Sequence, residues 1–415
     1  MSKTGALYDP RDADEIQNPL PSLRLLQDRD PVHWSPELRG WVITRYDDVK
    51  KILASSDVSA DRLTPFYNSR QPAQQQRIYE LVRYLNTWVA FKDPPDHSRL
   101  RSLLNRAVSP STMRSLGHSV QAMIDELLRP IVSRGGEAFE FIEHFANPLP
   151  ASVIMDLLGV PISDMPEVRH WSAQIQPFIG GATVADDKYD VGREGIVAMA
   201  DYFLSAVRSR ESHRRSDVIS HLMGLRDAGE ITEDELIGTC ILLLFAGHET
   251  TTNLIGNGLR ALIEHPLQMS KLRDDPTLID SAVEEMLRFD GPTGAVVRIV
   301  HRAISFHGKE LKPGERIFAM VNAANHDPRK FADGDEFDIE RTPNRHLTFN
   351  HGAHFCLGAP LARLEAQLAF TSILAAFRDI RLTGPTPQYM DTIVMRGVRE
   401  MWLAVEPASD TLRPH

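Results

Sequence analysis

Apolar positions recur at helical spacing along most of this chain, and short β-prone runs are confined to residues 31–44 and to the stretch after 293. Residues 1–30 carry proline and charge without a strong period and read as a wrapped arm with one short helix near Pro21–Gln27. Two β-prone runs around Trp34 and Trp41 flank a polar turn and predict a hairpin, followed by an amphipathic helix over Tyr46–Ala54. Residues 59–92 show no clear period and read as a loop over the core, rich in large side chains: Leu63, Phe66, Tyr67, Trp88 and Phe91. Asp93-Pro94-Pro95 predicts a helix start, with Asp93 as N-cap and Pro94 in the first turn. Helical patterns follow at Val120–Ser133, Ala151–Leu158, Met165–Phe178 and Gly192–Arg208, the last two parted by Gly180-Gly181 and the polar Asp186-Asp187-Lys188. The charge run Arg208–Asp217 reads as a solvated connection.

The longest pattern begins at a capping box, Thr232 with Glu235 three residues on, and meets no breaker until His265-Pro266. A helix of about 30 residues, roughly 45 Å, is predicted. Its segment Ile241–Phe245 is apolar all round, as a central buried helix requires, and includes Leu243. In its middle stands Ala246-Gly247-His248-Glu249-Thr250-Thr251. Such a break in local consistency tends to mark function. Ala246 and Gly247 leave room for a flat group or dioxygen against the backbone, and Glu249 and Thr250 offer a proton source and a hydroxyl relay. The plainer alternative is a polar kink with threonine bonded back to the preceding turn. Cys240, upstream, reads as core packing. A further helix over Ser281–Phe289 places Glu285 and Arg288 on one face, and Gly291-Pro292 ends it. Thr293–Val300 reads as a strand, residues 302–321 as strands about the turns His307-Gly308 and Lys312-Pro313-Gly314, and the C-terminal part as short strands. The chain shows neither repeat nor interdomain linker, which predicts one domain over 1–415.

Composition narrows the class. With 42% hydrophobic and 25% charged residues, the 415-residue chain fits a soluble globular protein. Two cysteines argue against a disulfide framework and fit a reducing cytoplasm. No apolar run reaches the roughly 18 residues of a membrane span, and Met1–Pro10 lacks a signal-peptide core. A net charge of −10 speaks against nucleic-acid binding.

The second cysteine, Cys356, lies in Phe349-Asn350-His351-Gly352-Ala353-His354-Phe355-Cys356-Leu357-Gly358, just before a helical pattern over Ala359–Ala375. The unpaired N–H groups of a helix start favour a thiolate there. Such a thiolate suits an axial bond to haem iron; spacing alone also allows an inert core residue or a different nucleophile. Phe349-x-x-Gly352-x-x-x-Cys356-x-Gly358, continued by Ala359-Pro360-Leu361-Ala362-Arg363-Leu364-Glu365, resembles the haem-ligand loop of the cytochromes P450, in their soluble bacterial branch. Asn350 departs from the pattern, standing where those relatives commonly carry a glycine.

The resemblance spans residues 30–405 and implies a mainly α (α+β) fold, with small sheets at one side and haem b held between the long central helix and the Cys356 loop. It implies Cys356 as the iron ligand; His97, Arg101, Arg298 and His354 as propionate donors; and Phe349 and Gly358 as shapers of the loop. Ala246, Gly247, Glu249 and Thr250 match the oxygen-activating motif. Glu285, Arg288 and Arg341 match a structural network. Pocket candidates are Phe66, Tyr67, Trp88, Val89, Leu243, Ala295, Val296, Val297, Ile393 and Val394. The function implied is oxidation of a moderate-sized apolar substrate by O2 and two electrons from an acidic ferredoxin and its reductase. That donor would dock on a basic patch of Arg114, Arg345 and Arg363. A peroxide-driven peroxygenase and a non-enzymatic haem sensor are the alternatives. The 59 residues after Cys356 leave no room for a fused reductase.

Overall fold

The computed structural model describes residues 8–108, 116–180 and 187–408; Arg114, Gly181 and Asp186 lie outside the described residues. Its axis is the predicted central helix, Glu233–Glu264, whose capping box forms as the sequence implies. The Thr232 hydroxyl accepts from the Glu235 N–H at 3.1 Å, and the Glu235 carboxylate accepts from the Thr232 N–H at 2.8 Å. The helices Pro148–Leu158, Lys188–Arg208, Ile279–Asp290 and Ala359–Ala376 pack around it, and the largest hydrophobic core lies between them.

Among the described residues, ten short strands sit beside this helical body: β1 (Val32–Ser35), β2 (Gly40–Ile43), β3 (Val58–Ser59), β4 (Phe139–Glu140), β5 (Ala295–Val300), β6 (Ile304–Phe306), β7 (Lys309–Leu311), β8 (Arg316–Met320), β9 (Phe377–Leu382) and β10 (Trp402–Pro407). The main sheet runs β1-β2-β8-β5-β3, with β2 and β8 parallel and the other pairs antiparallel. The β1–β2 hairpin sets Trp34 opposite Trp41, and Arg298 on β5 faces Ile317 on β8. The strands β4-β10-β9 form a second sheet and β6-β7 a third. No helix among the described residues is long and apolar enough to cross a membrane.

Three expectations need correction. Residues 59–92 are mostly helical, with helices at Leu63–Asn68 and Pro72–Leu85. Asp61 accepts from the N–H groups of Leu63 and Thr64 to start the first. The second buries Ile78, Leu81, Val82 and Leu85 at helical spacing, a stripe whose polar first turn, Gln71–Gln76, conceals it. Asp93 does not cap the following helix, which spans Asp96–Ala107; its carboxylate binds the Ser59 hydroxyl and the Ala60 N–H instead, tying β3 down. The charge run after Arg208 is not wholly solvated. Arg210 is buried, paired with Asp217 at 2.9 Å and bonded to the carbonyl of Gly159 at a helix end.

Candidate active site

The middle of the central helix keeps one open face. Leu243, Ala246, Gly247 and Thr250, spaced three, four and seven apart, retain accessible surface in a helix whose other residues are mostly buried. Gly247 serves packing as well: a Cβ there would come within 2.8 Å of Ile154, so the close approach is to the helix Pro148–Leu158. The Thr250 hydroxyl donates to the Ala246 carbonyl at 2.9 Å, which leaves its oxygen lone pairs free to accept. The back-bonding that the sequence offered as the plainer alternative is therefore present, and it leaves the hydroxyl able to accept.

Glu249 turns sideways, its Oε1 lying 3.3 Å from Nε2 of buried His248. His248 Nδ1 sits 2.7 Å from the Leu244 carbonyl, which can only accept, so Nδ1 carries a proton. The contact from Nε2 to Glu249 then requires one further shared proton. Burial pushes the Glu249 carboxyl up, but the His248 hydrogen bond and the charges of His248 and Arg169 outweigh it and hold it below the usual range.

Opposite stands the cysteine loop, closed by a Cys356 N–H to Phe349 carbonyl bond of 2.8 Å. Asn350 settles the departure from the family pattern. It takes φ +68°, in the left-handed region that asparagine tolerates, and its side-chain Oδ1 accepts from the His351 N–H at 2.7 Å. Gly352, at φ +74°, lies against the backbone of Ala54, where a Cβ would sit 3.2 Å from its Cα. Burial pushes the Cys356 thiol up, and the Gly358 N–H, the Arg101 charge, the Ala359 N–H and the Arg363 charge offset only part of that, so it stays above its ordinary value. Phe349 is buried beneath the Arg363 guanidinium, 4.6 Å from its ring centre. No group of three or more His, Cys, Asp or Glu among the described residues is arranged to hold a metal ion.

Four donors gather at one edge. The His97 and His354 rings are 4.2 Å apart between centres. Burial lowers His97, with Arg101 adding to it, and lowers Arg101 itself. His354 is driven down to about 3 by burial, Arg298 and His97. Arg298 falls to about 10 through burial, and its Nη2 has no hydrogen-bond partner. The acid acting on this group, Asp93, has its carboxylate bound to Ser59 and Ala60. Two guanidiniums and two imidazoles held this way offer donors for an anion, and the two propionates of haem fit that donor set.

The pocket candidates divide. Phe66 and Tyr67 keep partial exposure, and Phe66 packs against Phe178 at 5.8 Å and Tyr189 at 6.0 Å, two aromatics that no motif singles out. Leu243, Val296, Val297, Ile393 and Val394 are partly exposed. The Gly294 N–H bonds the Val394 carbonyl at 2.9 Å, joining the start of β5 to the 393–394 turn. Ala295 is fully buried with Phe318 and Met320, and so belongs to a small core. Val89 and Trp88 are also buried. Trp88 packs against Phe91 and Phe245, and its indole N–H lacks a partner, which suits a bond to a buried acceptor better than an apolar wall.

Below the site, Glu285 accepts from Arg288 at 2.7 and 2.8 Å, from Arg341 at 3.2 Å and from Asn344 at 3.0 Å. Of the expected basic patch, Arg345 is exposed, but Arg363 is held by Glu284 at 2.6 and 2.9 Å. Burial would raise Glu284, yet Arg363 and His346 bring it to about 2.

The mainly helical body around one long helix, the cysteine loop ahead of the helix Ala359–Ala376 and the cluster of arginine and histidine donors are together those of a haem-binding class of oxidoreductase. The chain belongs to the cytochrome P450 family, whose sequence pattern matches residues 193–401. It is 35% identical over 393 residues to the "Biotin biosynthesis cytochrome P450" of Bacillus subtilis (strain 168), covering 94% of this chain and 97% of the relative. It is 34% identical to the "Cytochrome P450 monooxygenase PikC" of Streptomyces venezuelae, over 89% and 86% of the two chains. The solved structure of P450BioI in complex with hexadec-9Z-enoic acid ligated acyl carrier protein superposes with a TM-score of 0.88 at 33% identity, covering 95% of this chain and 99% of that one. The protein is thus an oxidoreductase of the monooxygenase type, in a family that binds haem iron.

Proposed function

We propose that this chain, as one domain over 1–415 in the cytoplasm, uses haem b to hydroxylate or otherwise oxidise a moderate-sized apolar substrate. O2 would be the oxidant and a ferredoxin system the source of two electrons. The observation that carries this reading is the pairing of Cys356, at a helix start, with a cluster of four donors, the guanidiniums of Arg101 and Arg298 and the imidazoles of His97 and His354, whose nearby acid Asp93 is engaged by Ser59 and Ala60. Haem iron, when bound, supplies the activation of dioxygen and the insertion of one oxygen atom into a substrate bond.

This chain's residues do the rest. Cys356 would ligate the iron, its charge tempered by the N–H groups of Gly358 and Ala359. His97, Arg101, Arg298 and His354 would hold the propionates. Thr250 offers an acceptor oxygen that orders a water at the open helix face. Glu249, sharing a proton with His248, resupplies that water. Leu243, Phe66 and the 393–394 turn keep the substrate side apolar and dry.

The relatives' printed names, biotin biosynthesis and an acyl-ligated carrier protein, support an acyl or comparably elongated substrate. The test is the carbon monoxide complex of the reduced protein. It should show the strongly red-shifted Soret band of thiolate ligation, and Cys356→His should lose it. A band retained in Cys356→His would remove Cys356 as ligand. Product formation should depend on the electron donor rather than on added peroxide.

A further inference from the structure

One further cation among the described residues stands outside this scheme, partly exposed. Arg62 follows β3 and starts the helix Leu63–Asn68. Its Nη2 donates to the Ile179 carbonyl at 3.0 Å, and its guanidinium lies 4.9 Å from the centre of the Phe91 ring. It forms no ion pair among the described residues.

The acids that could neutralise it are engaged elsewhere. Asp61, its neighbour, accepts from the N–H groups of Leu63 and Thr64. Asp93 binds Ser59 and Ala60. The charge acting on Arg62 is instead a like one, Arg298, and together with the dominant effect of burial it brings the guanidinium to about 10. A guanidinium has five N–H donors, and the hydrogen bond found here, to Ile179, uses one of them. A guanidinium with donors left over and no acid paired with it among the described residues suits an anion.

Its surroundings are those of the apolar pocket. Ile179 adjoins Phe178, which packs on Phe66, and Gly180, whose carbonyl accepts from the Thr392 hydroxyl at 2.7 Å beside the Ile393–Val394 tip. Four other donors, His97, Arg101, Arg298 and His354, are assigned above to the propionates.

We propose that Arg62 is the anchor for the carboxylate of an elongated apolar acid, whose chain runs from it along the open helix face at Leu243 and Ala246. This rests on the haem-thiolate reading above and names the substrate class of that same site. A guanidinium fork pairs two N–H groups with two carboxylate oxygens, so the acid is chosen over its ester or alcohol.

The experiment titrates haem-loaded protein with dodecanoic acid, its methyl ester and 1-dodecanol, following the low- to high-spin Soret shift. The parent should bind the acid about tenfold or more tightly than the ester. Arg62→Leu should bring the acid's dissociation constant to that of the ester, and Arg62→Lys should restore part of the preference. Equal affinity for acid and ester in the parent, no shift with any of the three, or a preference retained in Arg62→Leu would overturn the proposal. So would an Arg62→Leu protein that no longer holds haem, which would assign Arg62 to the propionates. The red-shifted carbon monoxide band of the parent separates the two readings: with the band present, a missing acid preference refutes the anchor alone.

Discussion

At the residue scale, the site turns on where single protons sit. The Thr250 proton is committed to Ala246, so the hydroxyl can order a water only by accepting from it. Thr250→Ala removes that acceptor without touching the cysteine loop. Reductant should still be consumed, with much of it diverted to hydrogen peroxide, as product and peroxide per reductant oxidised will show. Glu249 is coupled to His248, a partner the hexapeptide contains but whose role its spacing hides, because adjacent helix residues point about 100° apart. Glu249→Gln should slow turnover by on the order of 10²-fold. His248→Phe should act differently. It removes a group that holds the Glu249 carboxyl low, so the carboxylate should be lost at higher pH and the acidic limb of kcat should move upward. An unmoved limb would detach His248 from proton delivery. Asn350 shows the limit of motif reading in the other direction: asparagine tolerates the left-handed conformation this turn takes, and its side chain binds the next residue's N–H.

At the element scale, legibility follows how local the determining physics is. The central helix is legible because cap, length and apolar run lie in one continuous stretch, and its observed span of Glu233–Glu264 lies within the predicted limits. The helices within 59–92 are not, since their start depends on Asp61 and their polar faces dilute the period. Nor is Asp93: its carboxylate is drawn across to β3, a contact no local rule contains. The pair Glu285 and Arg288 is common on any helix, and only its tertiary partners give it weight. Arg288 is buried, and it also donates to the carbonyls of Asn325, Gly334 and Glu336. Through these bonds it fastens the meander that precedes the cysteine loop. Glu285→Gln leaves Arg288 buried without its counter-charge and should destabilise the fold by about 3–5 kcal/mol. Urea unfolding of the loaded protein measures this, with earlier haem loss expected, and a midpoint unchanged from the parent would deny the network that role.

At the scale of the whole molecule, charge decides how an electron donor approaches. The chain carries −10 overall, so an acidic ferredoxin meets general repulsion and must find a local positive region. Sequence order places Arg345 and Arg363 near Cys356 alike, but pairing separates them. Arg363 is neutralised by Glu284, whereas Arg345 is exposed and makes no side-chain ion pair among the described residues. Lys50 acts on His351 in the same loop and adds a second cation there. The steering field should therefore centre on Arg345 and Lys50. Arg345→Glu should slow the first electron transfer at low salt, and the difference should vanish as the Debye length shortens to ~3 Å at 1 M. Arg363→Glu is a poor probe by comparison, because it sets two carboxylates against each other at Glu284 and should lower stability before it reports on docking. Stopped-flow reduction by an acidic ferredoxin across a salt series, with unfolding midpoints for both variants, distinguishes these effects. Rates independent of salt, with Arg345→Glu equal to the parent, would place the donor on another face.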